Sequence, residues 1–181
     1  MATYQAYNDF TAQSRTVSAL MNLYANLEQK EGRKIELTPI VVFLAFSVES
    51  YLNSLGARHI IIWDQLERLS WKSKVEILYK TAGEKPNWGK EPLQFATEIF
   101  KIRDKLAHGK PERVLGPVVS DAEIIKHDSI EPEWYQSITE EWVLNAKERF
   151  RVLMVDLGAL FNEHESDHLL TSTGGIIVNT E

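Results

Sequence analysis

The stretch from Thr38 to Gly56, TPIVVFLAFSVESYLNSLG, constrains the fold of this chain more than any other. Threonine followed by proline is typical of a helix N-terminus, with Thr38 as the N-cap and Pro39 at the first helical position, and Gly56 is typical of a helix end. Residues 39–55 are therefore predicted as one helix. Because it is apolar around most of its circumference, it must be covered on several sides and should lie at the centre of the domain.

Four further segments have apolar residues at spacings of three, four and seven, which predicts amphipathic helices. They are residues 3–30, 71–83, 92–108 and 138–161. Ser70 is a suitable N-cap for the second of these helices, and Ser137 with Glu140 has the pattern of a capping box at the start of the last. Five helices with short connections predict an all-α fold, an up-and-down bundle of four to five helices.

One helical domain is predicted over residues 1–165, with an insert at 111–135 that contains three prolines and two short β-prone runs. The insert is expected to be irregular or to form a small hairpin. Residues 166–181 are rich in serine, threonine and glycine and are predicted as a flexible C-terminal tail. His164 and His168 are four residues apart, as in some metal sites, but we expect them at an exposed, fraying end, so no metal site is predicted.

The composition narrows the functional classes. The chain has no cysteine, which excludes disulfides and thiolate metal sites, and it contains no glycine-rich phosphate loop, so no cofactor is predicted. The longest apolar run, residues 39–46, is far below the roughly 18 residues of a membrane span, and the first ten residues do not resemble a signal peptide. A soluble, cytoplasmic protein that does not enter membranes is therefore expected.

The charge is unevenly distributed. The net charge is −6, yet residues 72–113 contain ten basic and six acidic residues, whereas the remainder contains ten basic and twenty acidic residues. Since a polyanion is attracted to local positive charge, the middle of the chain is the one region suited to nucleic acid.

The segment IFKIRDKLAHGKPE, residues 99–112, places an arginine within an apolar helical face. Helical geometry puts Arg103 near Ile99, at the edge of the stripe that faces the core. A guanidinium does not lose its proton, so a partly buried arginine needs an anionic partner. Glu49, in the middle of the apolar helix at 39–55, is the candidate, and an ion pair between two central helices is predicted.

His108 has a different setting at the end of the same helix. Asp104 is four residues earlier and therefore on the same face, and the helix C-terminus favours a protonated imidazole. Both effects are expected to raise the histidine pKa from about 6.5, into a range that suits acid–base chemistry on phosphate esters. Arg103 and His108 are about 140° apart on an ideal helix. They converge only if the helix loosens or if a second chain supplies half of the site.

The residues from Arg103 to His108 resemble the R-x4-6-H motif of the HEPN superfamily, the higher eukaryotes and prokaryotes nucleotide-binding domains. The helix order and the mid-helix Glu49 add to this resemblance, which covers roughly residues 3–165 and points to an unassigned bacterial subfamily. Many members are metal-independent endoribonucleases that act as dimers, some of them in toxin–antitoxin or defence systems. Within these 181 residues we expect no nucleotidyltransferase, helicase or kinase domain beside the motif.

The resemblance implies a role for each motif residue. His108 would act as general base or acid, Arg103 would stabilise charge on the phosphorane, and Asp104 would orient the imidazole. The basic residues around the motif, Lys101, Lys105 and Lys110, would contact the RNA backbone. The implied partners are RNA, a second copy of the chain, and an antitoxin or another protein.

The same residues also have a structural interpretation. Arg103 with Glu49 is explained as a core ion pair, and Asp104 between two lysines as an ordinary solvated helix face. The alternative function is then a catalytically inactive helical module that binds a partner protein or a nucleotide. The acidic remainder of the chain favours this alternative, whereas the motif favours the ribonuclease.

Overall fold

A computed structural model of the chain describes residues 2–8, 10–29, 37–118, 130–169 and 174–179, and this part is mainly helical. The prediction was an all-α fold, whereas the described part is mainly α with one small two-stranded sheet. The elements in chain order are β1 (Thr3–Asn8), α1 (Ala12–Glu28), α2 (Thr38–His59), α3 (Trp63–Leu66), α4 (Trp71–Thr81), α5 (Leu93–His108), α6 (Glu133–Gln136), α7 (Glu140–Ala159), a 3-10 turn (Asp167–Leu169) and β2 (Gly174–Asn179).

Helix α2 is the centre of the fold, as its apolar circumference predicts. It packs against α1, α4, α5 and α7, and side chains such as Leu44, Tyr51 and Leu52 are buried. In the described part of the chain, α2 alone is long and apolar enough to span a membrane. Most of its apolar window, 61%, is buried inside the fold.

Both ends of α2 differ from the prediction. Leu37 is the N-cap and Thr38 is the first helical residue, with its hydroxyl hydrogen-bonded to that of Tyr135 at 3.0 Å, so the predicted capping role of Thr38 is wrong. Gly56 does not end the helix, which continues to His59. A Cβ atom at Gly56 would overlap the indole of Trp63. The glycine is therefore needed for close packing and not for termination.

The prediction of a helix from residue 3 is also wrong. Residues Thr3–Asn8 form strand β1, and α1 begins at Ala12, capped by the hydroxyl of Thr11, which accepts from the Ser14 amide. Strand β1 pairs antiparallel with β2, and the register joins Thr3 to Asn179. The partner strand lies far away in sequence, so local periodicity over residues 3–30 contains no information about it.

Part of the predicted C-terminal tail has regular structure. Asp167 and His168 are each only 3% exposed, and residues Gly174–Asn179 form β2. The expected exposure of His168 is therefore wrong. The Arg58 guanidinium donates two hydrogen bonds to the Asp167 carboxylate, at 2.9 and 2.5 Å, and lies 3.4 Å from a carboxylate oxygen of Glu163. These residues, together with His59, are called the Arg58 cluster below.

The described start of the insert is irregular, as predicted, whereas the cap of α7 differs from the prediction. Residues 109–118 have no regular structure, consistent with an irregular insert, and a short helix, α6, lies at the end of the insert. The second β-prone run, residues 122–128, lies outside the described residues. Thr139, and not Ser137, caps α7 by accepting from the Trp142 amide at 3.1 Å, so the capping box was assigned two residues too early. Ser70 caps α4 as predicted.

Candidate functional site

An open groove of about 710 Å³ runs along α5, and we call it the α5 groove. One wall is a stripe of α5, a second wall comes from the first residues of α4, and the irregular segment after α5 closes one end. The lining residues are Trp71, Lys72, Thr97, Phe100, Lys101, Asp104, Lys105, His108, Gly109, Lys110, Pro111 and Glu112.

The helical repeat of α5 explains the polar wall. Residues such as Phe95 and Ile99 are fully buried on one side of the helix, while the stripe from Thr97 to His108 recurs every three or four residues on the other side. At about 1.5 Å per residue, this stripe is about 16 Å long. Because α5 continues to His108, the histidine is the last helical residue and lies at the end of the groove.

Gly109 makes this helix end compact. Its amide donates to the Lys105 carbonyl at 2.9 Å, and a Cβ atom at this position would overlap that carbonyl oxygen. Only glycine fits the close approach of the two backbones. The predicted end of the helix at residues 108 and 109 is confirmed, and the chain turns away directly after His108.

The groove is rich in positive charge. Four lysines line it, and within the described residues none of the four forms an ion pair; they are Lys72, Lys101, Lys105 and Lys110. The two acidic residues of the lining already have partners. Asp104 lies 3.3 Å from Arg103, and Glu112 accepts a hydrogen bond from the Trp134 indole at 2.8 Å. An anion entering the groove therefore meets four ammonium groups with no competing carboxylate bound to them.

His108 is exposed to solvent and lines the same groove as Asp104, so the structure brings these two predicted residues to one surface. The predicted contact between them is absent, since no hydrogen bond or ion pair joins them in the part of the chain that is described. The carboxylate of Asp104 lies instead beside the Nε of Arg103 at 3.3 Å. Arg103 competes with the imidazole for this carboxylate, because it is the nearer permanent cation.

Arg103 lies behind the groove in a chain of charges. Its Nη2 is 3.7 Å from Glu49, and Glu49 in turn accepts a hydrogen bond from the Lys74 ammonium at 3.3 Å. The predicted Glu49–Arg103 ion pair is therefore present. The guanidinium also lies over the Phe100 ring, 5.1 Å from its centroid. Its Nε is buried and faces the Asp104 carboxylate at 3.3 Å without a hydrogen bond of good geometry.

Lys74 is the member of this network that the sequence analysis missed. Its side chain is only 2% exposed, and Glu49 is its ion-pair partner. A signal was present, because Lys74 lies within the apolar helical stripe of Trp71, Val75 and Leu78. The argument that identified Arg103, a cation inside an apolar stripe, applies equally to this lysine.

Aromatic rings form the base of the groove at the α4 end. Trp71 stacks on Phe100 with ring centroids 4.2 Å apart and planes 7° from parallel, and Trp88 meets Trp71 edge-on. The Lys72 ammonium lies 5.7 Å from the Trp71 centroid and 5.5 Å from that of Trp88. This packing holds α4 against α5 and fixes the separation of the two walls.

The structure thus separates the predicted site residues into two groups. Asp104, His108 and the three predicted lysines line the groove, whereas Arg103 and Glu49 do not. Arg103 and His108 are not brought together within one chain, as their angular separation on the helix predicts. Among the described residues, no group of three or more histidine and carboxylate side chains is arranged to hold a metal ion.

The chain was compared with protein-family models, with curated proteins and with solved structures, and none of the three comparisons found a match.

Proposed function

We propose that this chain is a HEPN-like, metal-independent endoribonuclease that binds RNA in the α5 groove. A single observation carries the proposal: an exposed histidine, a neighbouring aspartate and four lysines free of ion pairs within the described residues line one open groove. Lysines at this density suit a phosphate backbone, and an imidazole is the side chain best suited to move protons near neutral pH. The segment Arg103–His108 resembles the family motif, and this resemblance agrees with the proposal.

The proposed chemistry uses His108 on the ribose next to the scissile phosphate. The imidazole takes the proton of the 2′-hydroxyl, the resulting oxygen attacks the phosphorus, and the bond to the 5′ oxygen breaks with a proton supplied to that leaving oxygen. Lys101 and Lys105 neutralise the charge that develops on the phosphorane. One histidine cannot be base and acid in the same instant, so a dimer in which two chains each contribute His108 accounts for both proton transfers.

Arg103 has a different role in this proposal. Within one chain it holds Asp104 and Glu49 behind the groove, so it acts as a positioning residue. Its contacts to Glu49 and Asp104 are long, at 3.7 and 3.3 Å, so the guanidinium can exchange a carboxylate for a phosphate if α5 loosens or a second chain approaches. In this proposal Arg103 stabilises the phosphorane directly only in the assembled dimer. Such an enzyme would suit a toxin or defence system, in which an antitoxin would cover the groove.

The second candidate function is a catalytically inactive module that binds a nucleotide or a partner protein in the same groove. It is favoured by the absence of a bond between Asp104 and His108 and by the separation of Arg103 from the groove. In this case the lysines still bind phosphate, but no base is oriented to remove the 2′ proton.

The decisive experiment measures cleavage and binding of fluorescent single-stranded RNAs in the presence of EDTA. We expect His108→Ala to lower the cleavage rate by about 10²- to 10⁴-fold, the usual contribution of a general acid–base group, with little change in RNA affinity. Lys101→Ala with Lys105→Ala should weaken binding. His164→Ala is the matched control, because His164 is exposed and lies outside the groove.

Each other outcome rejects part of the proposal. Equal cleavage by wild type and His108→Ala would remove His108 from the mechanism. Lysine-dependent binding without cleavage by the wild type would establish the inactive module. If neither cleavage nor binding depends on the groove residues, both candidate functions fail.

A further inference from the structure

The ribbon formed by β1 and β2 has two chemically different faces. Directly paired residues of antiparallel strands lie on the same face, and successive residues alternate between faces. The register pairs Tyr4 with Val178 and Ala6 with Ile176, so these four apolar residues share one face, at the end of which Asn8 pairs with Gly174. We call the four residues the apolar face. The opposite face is mixed and consists of Thr3, Gln5, Tyr7, Ile177 and Asn179.

The apolar face is exposed. Tyr4 is 72%, Ile176 is 66% and Val178 is 53% exposed, and Phe10, just after β1, is 67% exposed. In a sheet with one wet face, the polar face normally meets water and the apolar face meets the core. Within the described part of the chain, no other element covers these apolar side chains. An exposed apolar surface of this kind is typical of an interaction site.

The edges of the ribbon are also unprotected. In the described residues each strand pairs only with the other, which leaves one free edge on β1 and one on β2. Free edges of monomeric proteins usually contain lysine or proline, which oppose pairing with another chain. Neither strand, TYQAYN or GGIIVN, contains a charged residue or a proline. A two-stranded ribbon alone is marginally stable in water, so association would also stabilise the ribbon itself.

We propose that the apolar face of the ribbon associates with the same face of a second copy of this chain. In a twofold dimer a patch meets itself, so any charge near the axis would face a like charge. The four residues of the apolar face are uncharged and meet this requirement, and the cation beside them is Arg15, whose guanidinium lies over the Phe10 ring at 5.4 Å from its centroid. An acidic or basic partner, nucleic acid included, would find no countercharge on either strand.

The exposed area sets the strength of this association. An aromatic side chain can bury about 150–250 Å², so the apolar face with Phe10 offers on the order of 500 Å² per chain. Two copies would bury roughly 1,000 Å², which is the lower limit of specific interfaces. The dimer is therefore weak, with a dissociation constant in the micromolar range, and it uses a surface separate from the α5 groove.

The test is analytical ultracentrifugation of the full chain between about 1 and 200 µM, where a micromolar association is visible. Wild type should show reversible association, and the double variant Tyr4→Lys, Ile176→Lys should weaken it at least tenfold, since it places charges on a surface that must lose water. Gln5→Lys is the matched control on the opposite face and should associate as the wild type does. Circular dichroism should show the same helix content in all three proteins.

Cross-linking provides a second readout that does not depend on mass. Because the chain has no cysteine, Ala6→Cys introduces a single thiol on the apolar face and Gln5→Cys a single thiol on the other. A short bismaleimide should join two Ala6→Cys chains and leave Gln5→Cys largely unlinked. Monomeric wild type throughout the range would overturn the proposal. Association that survives Tyr4→Lys, Ile176→Lys without Ala6→Cys cross-links would also overturn it, and would leave the RNase dimer of the proposed function intact.

Discussion

The Arg58 cluster and the Arg103 network are built from the same residue types and differ in how completely they are bonded. Arg58 makes a two-pronged pair with Asp167, at 2.9 and 2.5 Å, and this carboxylate is almost fully buried. Arg103 lies 3.7 Å from Glu49 and 3.3 Å from Asp104, and its Nε has no hydrogen bond. A short, two-pronged ion pair fixes structure, whereas an arginine with longer contacts behind an open groove exchanges a carboxylate for another anion more easily.

The largest expected effect is the loss of stability on breaking the Arg58 cluster. Asp167→Ala should lower the free energy of unfolding by about 2 kcal/mol, less than for a fully buried pair because Arg58 is 38% exposed and can turn to water. Urea unfolding followed by circular dichroism measures this change. Arg151→Ala is the control, because its pair with Glu148 is exposed and should contribute nothing measurable. Equal stability of the two variants would contradict the structural role of the cluster.

A smaller effect is expected in the Arg103 network. Arg103→Ala should lower the free energy of unfolding by about 1 kcal/mol, because Glu49 keeps its bond to Lys74. Glu49→Ala should be more destabilising than Arg103→Ala, since it removes the anion that accompanies the buried ammonium of Lys74. The same urea series gives both values. If Arg103→Ala is as damaging as Asp167→Ala, the two regions are equally structural and the contrast between them fails.

The smallest expected effect is on the pH dependence of stability. Burial alone would raise the pKa of Asp167, but hydrogen bonds from Arg58 and Tyr51 outweigh it and hold the pKa below its ordinary value. The folded carboxyl group therefore has a lower pKa than the unfolded one, near 3.9, and its contribution is present above that pH and lost as the pH falls through the folded pKa. Asp167→Asn should flatten the stability curve below about pH 4.

The neighbouring His168 contributes to the same pH dependence at higher pH. Burial lowers the pKa of its imidazole, so the folded protein resists protonation more than the unfolded chain. Its contribution is complete above about pH 6.5 and is lost as the pH falls from there toward the folded pKa. The Asp167 carboxylate partly opposes this shift, so Asp167→Asn should lower the folded pKa of His168 further and extend the loss of stability to lower pH. A change confined to this upper part of the curve would assign the acid sensitivity to His168 instead.

The features predicted correctly are those whose sequence signals, such as a cap or an apolar run, lie within a few residues. The apolar character of α2, the Ser70 cap of α4 and the end of α5 at Gly109 are each encoded within a few residues, and the structure contains all three. Local periodicity predicts a helix over residues 3–8. This is wrong because these residues pair with β2, which lies at the other end of the described chain. Ser137 and Thr139 are both good caps two residues apart, but Ser137 ends α6, and Thr139 is the N-cap of α7.

The site shows the same division. The Glu49–Arg103 pair was predictable because each charge interrupts an apolar helical face and needs a partner. The contact between Asp104 and His108 was predicted from their four-residue spacing, but spacing alone does not include the competition from Arg103 for the carboxylate. Lys72 joins the groove from α4, a helix–helix contact for which the chain has no local signal.

The ribbon has a kinetic consequence. Its register joins Thr3 to Asn179 and encloses almost the whole described chain, which makes it the pairing with the longest sequence separation in the fold. Closing so large a loop costs entropy that the ribbon's own hydrogen bonds offset poorly, while the helices form from near neighbours and shorten the loop. We therefore expect the strands to pair after the helices have packed and to separate before the helices unfold. In those intervals two uncharged strands with unpaired backbone groups are exposed to neighbouring chains.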